Sequence, residues 1–131
     1  MDNSSGNQAN VQASLSGRYA TALFELAREA KAIDSVEASL AKVQTALSES
    51  SEFAALTTDA SISRDAAKQV VAAIAKAMKL DALTAKTLGV LAENRRLAET
   101  AGVARAYAAL ASAHRGEITA EVTSAHSLSA A

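Results

Sequence analysis

The 131-residue chain contains no cysteine, no proline and no tryptophan. Without Cys, neither a disulfide framework nor a thiolate metal site can form. Without Pro, no helix is broken by a pyrrolidine ring. Aromatic residues make up only 3% and glycines number five, which leaves few tight turns. Histidines number two, His114 and His126, and neither has a Ser or an acid at a defined spacing. His114 is expected at a helix C-terminus, where a cation would complement the dipole. HExxH, P-loop and GxGxxG patterns are absent, and Gly17, Gly89, Gly102 and Gly116 are isolated, so the sequence offers no phosphate cradle. No apolar run approaches the about 20 residues that a bilayer-spanning helix requires. Direct membrane insertion is therefore not expected.

Charge of one sign is also lacking. Thirteen basic and fourteen acidic residues give a net charge of −1. A duplex-binding protein usually shows a basic excess or a clustered basic face. Here the signs alternate along the chain as on a solvated surface. No nucleic acid, cofactor, metal site or catalytic residue is expected, and Arg95-Arg96 reads as a helix end rather than a phosphate contact.

What the chain does contain is Ala, Leu, Val and Ile, within a hydrophobic content of 50%. Ala and Leu are strong helix formers. Leu15, Tyr19, Ala22, Leu23, Leu26 and Ala30 follow the 3.6-residue period, with Ser14 or Ser16 available as an N-cap. Asp34 and Glu37 resemble a capping box that opens a second helix with the stripe Val36, Leu40, Val43 and Leu47. One short helix carrying Phe53 and Leu56 fits between Ser48 and Thr58. Ser63 caps a helix with Val70, Val71, Ile74, Ala77 and Met78, and Asp81 caps another with Leu83, Thr87, Leu88, Val90 and Leu91. Asn94, Arg95 and Arg96 form a joint. A last stripe runs through Leu97, Ala101, Ala104, Tyr107, Ala108, Ala111 and His114. The fold class is thus all-α, a six-helix bundle.

The pattern changes at Gly116. Glu117 to Thr123 alternates polar and apolar residues with period two and is rich in β-branched side chains, which predicts a strand. The expected organisation is a disordered tail over 1–13, the helical bundle over 14–115, and the first strand of a missing C-terminal domain over 116–131.

Two stripes admit two readings. Tyr19, Ala22, Leu23 and Leu26 on the first helix, and Thr87, Val90, Leu91 and Asn94 on the fifth, are either core or a groove that accepts a third, amphipathic helix. Spacing alone does not choose between them.

Three blocks carry a family resemblance. Ser16-Gly17-Arg18-Tyr19-Ala20-Thr21-Ala22-Leu23-Phe24 resembles the opening helix of the delta subunit of F-type ATP synthases, whose mitochondrial relative is the oligomycin-sensitivity-conferring protein. Leu91-Ala92-Glu93-Asn94-Arg95-Arg96-Leu97 is similar to that family's central Leu-x-Glu-Asn-x-Arg-Leu signature, and Arg115 to Ala125 to its junction strand. The resemblance implies a non-catalytic stator adaptor that holds the catalytic head to the peripheral stalk and supports proton-driven ATP synthesis. It implies that the N-terminal helix of an alpha subunit lies between helices 1 and 5, against Tyr19, Ala22, Leu23, Leu26, Thr87, Val90, Leu91 and Asn94. It further implies b-type stalk subunits as partners of the missing C-terminal domain, and a peripheral place at the cytoplasmic face of a bacterial inner membrane. The alternatives are an unrelated helix-groove regulatory module and an enzyme with an unrecognised site.

Overall fold

A computed structural model describes the backbone of residues 14–130 and the side chains of residues 14–119. The tail expected over 1–13 lies outside the described residues. Six α-helices follow one another: α1 Leu15–Glu29, α2 Ile33–Glu49, α3 Ser51–Thr58, α4 Arg64–Ala77, α5 Ala82–Glu93 and α6 Thr100–Ala130. A 3₁₀ turn, Leu97–Glu99, leads into α6. The described residues contain no strand.

Helix starts follow the side chains that can cap them. The hydroxyl of Ser14 accepts from Gly17 N–H at 2.9 Å and that of Ser63 from Ala66 N–H at 3.1 Å. The Asp81 carboxylate accepts from Leu83 N–H at 2.9 Å. Each removes one of the unpaired donors of a first turn. The capping box expected at Asp34 and Glu37 does not form. Helix α2 begins two residues earlier, behind Ala32, with no side-chain cap. Asp34 and Glu37 instead receive the guanidinium of Arg115 from α6. A cationic partner across the bundle offers both carboxylates a full positive charge, where a capping box would offer each only a backbone N–H.

Three helices end in the left-handed conformation without a glycine. Lys31, Lys79 and Arg95 have φ of 58°, 53° and 58°. At each, the next residue's N–H reaches back to a carbonyl five residues earlier: Ala32 to Ala27, Leu80 to Ala75, and Arg96 to Leu91. These are Schellman ends, where the β-carbon of an L-residue costs about 1–2 kcal/mol. A positive side chain at a helix C-terminus returns part of that cost. Lys31→Gly, Lys79→Gly and Arg95→Gly are each expected to raise stability by up to about 1 kcal/mol, whereas Arg95→Ala, which keeps Cβ, should not. Urea unfolding of the variants checks this.

The core lies between α1, α2, α5 and α6. Ala20, Leu23, Phe24, Ala27, Val36, Leu40, Val43, Leu88, Leu91, Val103 and Tyr107 are buried in it. Gly102 lets α6 approach α1. A β-carbon there would stand 2.4 Å from Ser16 Oγ and 3.0 Å from Ser16 Cβ, and that hydroxyl is already committed to Glu99. Farther along, Phe24 meets Tyr107 and His114 edge-on, with centroid separations of 5.9 and 5.6 Å. His114 therefore lies within α6, against α1, and not at the helix C-terminus expected from the sequence.

Helix α6 also overturns the predicted strand. It crosses Gly116 without a break and takes in Glu117 to Thr123. A lone strand would leave its N–H and C=O groups unpaired, while a helix pairs them within the segment.

Tyr107 is fully buried and donates from its hydroxyl to the Ile33 carbonyl at 2.8 Å. Burial pushes this hydroxyl up to about 12, with Asp34 and Asp81 adding negative charge nearby. In the unfolded chain it titrates near about 10. Between those values the unfolded state binds fewer protons than the folded one, so stability falls as pH rises. The contribution is complete below pH 10 and lost through pH 12. Tyr107→Phe is expected to flatten that alkaline decline relative to the parent in denaturation measured across the interval.

Candidate helix-docking face

The relation of α1 to α5 follows from their ends. Near the start of α1, Asn94 donates from its side-chain amide to Tyr19 Oη at 3.1 Å. Near its end, the chain turns directly into α2, whose Ser35 donates to Asp81, the cap of α5, at 2.6 Å. Ser39 of α2 also accepts from Asp81 N–H at 2.7 Å. The two helices therefore lie side by side and antiparallel. Asn94 serves twice, as the C-cap residue of α5 and as the polar link to α1.

The eight sequence-predicted residues divide by burial. Leu23 is 1% exposed and Leu91 is 0% exposed, so both belong to the core and neither presents a side chain to a partner. Ala22 and Asn94 are exposed, while Tyr19 and Thr87 are half-buried. Leu26 is 45% exposed and Val90 39%. Among the described residues, only Ile118 joins these two as a large hydrophobic side chain left exposed. Tyr19, Ala22 and Leu26 share one stripe of α1, and Thr87, Val90 and Asn94 share one stripe of α5. The antiparallel arrangement brings these stripes alongside each other, with Leu23 and Leu91 beneath.

A cleft of about 190 Å³ lies elsewhere, lined in part by Leu56, Ile62, Ala67, Ala92, Leu97 and Arg95. Its one carboxylate, Asp59, is held below the usual carboxylate range by the hydroxyl and backbone N–H of Ser61. It is ionised at neutral pH and faces no second acid in the lining, so it lacks the paired carboxylates of acid–base catalysis.

Several contacts were not foreseen from the sequence. Arg115 clamps α6 to the start of α2, Ser16 donates to Glu99, and Tyr107 reaches Ile33. Each joins residues more than seventy positions apart. Only the Asp34/Glu37 pair gave a local signal, and that signal suggested a cap.

The family model for the ATP synthase delta (OSCP) subunit matches residues 15–131. The chain belongs to the ATP synthase delta (OSCP) subunit family. It is 57% identical over 124 residues to an ATP synthase subunit delta of Rhizorhabdus wittichii, covering 95% of this chain and 67% of that protein. To the subunit delta of Erythrobacter litoralis it is 47% identical over 120 residues, covering 92% and 65%. It spans about two thirds of the length of these curated relatives. A chain in the cryo-EM structure of the Toxoplasma gondii mitochondrial ATP synthase hexamer matches with a TM-score of 0.68 at 36% identity, covering 72% of this chain and 52% of that one. The helical bundle is thus a fold shared with a chain of an assembled ATP synthase. No helix among the described residues is long and apolar enough to cross a membrane.

Proposed function

We propose that this delta-family chain is a stator adaptor of an F-type ATP synthase, which receives the N-terminal helix of an alpha subunit between α1 and α5 and catalyses nothing itself. The observation that carries the reading is the pairing of exposed apolar residues, Leu26 on α1 and Val90 on α5, on adjacent stripes of antiparallel helices. An amphipathic helix laid along them would cover Leu26 and Val90 and pass close over Ala22, whose short side chain admits a partner backbone. Apolar area contributes about 25 cal/mol per Å² before the costs of association. Rotation of a central shaft loads the head with torque, so a stator needs slow dissociation, which buried apolar anchors set more than surface charge does.

The packed domain ends in this reading at Arg115, the last described residue joined to another helix by an ion pair. Attachment to b-type stalk subunits belongs to a C-terminal domain beyond it. The assembled protein would sit peripherally at the cytoplasmic face of the membrane and support proton-driven ATP synthesis. Chemical-shift mapping with an alpha-subunit N-terminal peptide tests the docking face. Changes are expected at Tyr19, Ala22, Leu26, Thr87, Val90 and Asn94. Changes confined to the cleft beside Leu56 and Ile62 would refute the α1/α5 assignment.

A further inference from the structure

The docking face has unlike ends. At the end marked by Tyr19 and Asn94, the bundle presents Arg18 and Arg96, both exposed, while Arg95 lines the separate cleft beside Leu56. Arg105 lies close by, its guanidinium 4.0 Å from where a β-carbon on Gly102 would stand. Arg18, Arg96 and Arg105 take part in no ion pair among the described residues. Of the carboxylates nearby, Glu93 lies 3.8 Å from Lys68, and Glu99, which accepts from the uncharged Ser16 hydroxyl, offsets one arginine and leaves the end positive. Arg18 stands four residues before Ala22, on the rim of the α1 stripe. At the opposite end the signs balance once the Asp81 cap is counted. Glu25 pairs with Arg28 at 2.6 Å, and Glu29 and Asp81 stand against Lys31 and Lys86.

From this asymmetry we infer that the helix received by the α1/α5 face carries acidic residues in its first turn, and that this turn lies over the Tyr19/Asn94 end, so that the helix runs parallel to α1 and antiparallel to α5. The inference rests on the docking-face reading and adds the partner's charge pattern and direction. Its basis is a comparison of charges. A helix C-terminus offers the arginines about half a negative charge. A first turn with two carboxylates offers two full charges less about half from its own dipole, roughly three times as much. Carboxylates are also stabilised in a first turn and disfavoured in a last one, so the docked helix folds best in the same register.

The test uses this chain and three synthetic amphipathic peptides with the same apolar stripe: one with two Glu in the first turn, one with Gln there, and one with two Glu in the last turn. At low ionic strength the first should bind about five-fold more tightly than the second, and the ratio should shrink toward one as salt is added. In the double variant Arg18→Gln/Arg96→Gln, that ratio should also approach one. A spin label on the N-terminus of the first peptide should broaden the amide signals of Tyr19 and Asn94. Equal, salt-independent binding by the first two peptides would overturn the inference while leaving the docking face intact, as would broadening of those signals by a C-terminal label. Binding by none of the three would overturn the inference and the docking-face reading together.

Discussion

Leu23→Asp is expected to abolish cooperative folding, while Val90→Asp, on the neighbouring helix, is expected to leave the thermal transition nearly where it was. Leu23 is 1% exposed and lies within the core. A carboxylate placed there has no described cation to pair with, and burying it unpaired costs several kcal/mol, comparable to the whole stability of a small domain, about 5–15 kcal/mol. Val90 is 39% exposed and already meets water. Its replacement loses little burial and places a negative charge in the last turn of α5, where the dipole disfavours it by about 0.5 kcal/mol. Circular dichroism melts of the two variants separate the outcomes. A cooperative, parent-like melt for Leu23→Asp would show that Leu23 belongs to the docking face after all.

Tyr107→Ala is the second large expected effect, a loss of about 3–5 kcal/mol in urea unfolding. The ring fills the centre of the bundle with 0% exposure, packs edge-on against Phe24 and fixes α6 to the start of α2 through Ile33. Its removal leaves a cavity and an unpaired carbonyl lone pair together. Tyr107→Phe keeps the ring and should cost about 1 kcal/mol, the net worth of one hydrogen bond. A loss below about 1 kcal/mol for Tyr107→Ala would mean that the neighbours collapse into the space.

Local rules were sufficient where a helix start depended on one side chain. Ser14, Ser63 and Asp81 cap as their positions predict, and the 3.6-residue period located five of the six helices, the short α3 being placed only by the room between Ser48 and Thr58. They failed where the decisive partner was remote. Asp34 and Glu37 had a local use as a cap and a better one in Arg115 of α6. The β-branched alternation over Glu117 to Thr123 is a pattern whose use depends on a neighbouring sheet edge, and the described residues supply none. There the backbone's need for internal pairing outweighs propensity. The docking stripes were legible as apolar periodicity, but their division was not. Leu23 and Leu91 differ from Leu26 and Val90 only by the turn of a helix toward α6 or away from it, and no spacing rule encodes where the other helices stand.

In the proposed assembly the paired stripes of α1 and α5 hold an alpha-subunit helix. Calorimetric titration of an alpha-subunit N-terminal peptide into this chain, repeated with Leu26→Asp and Val90→Asp, tests it directly. Saturable one-to-one binding with a negative heat-capacity change is expected, as for buried apolar surface, with a loss of at least about ten-fold in affinity in either variant, because each complex would bury an unpaired carboxylate. Absence of binding by the parent chain, or undiminished affinity in both folded variants, would contradict it.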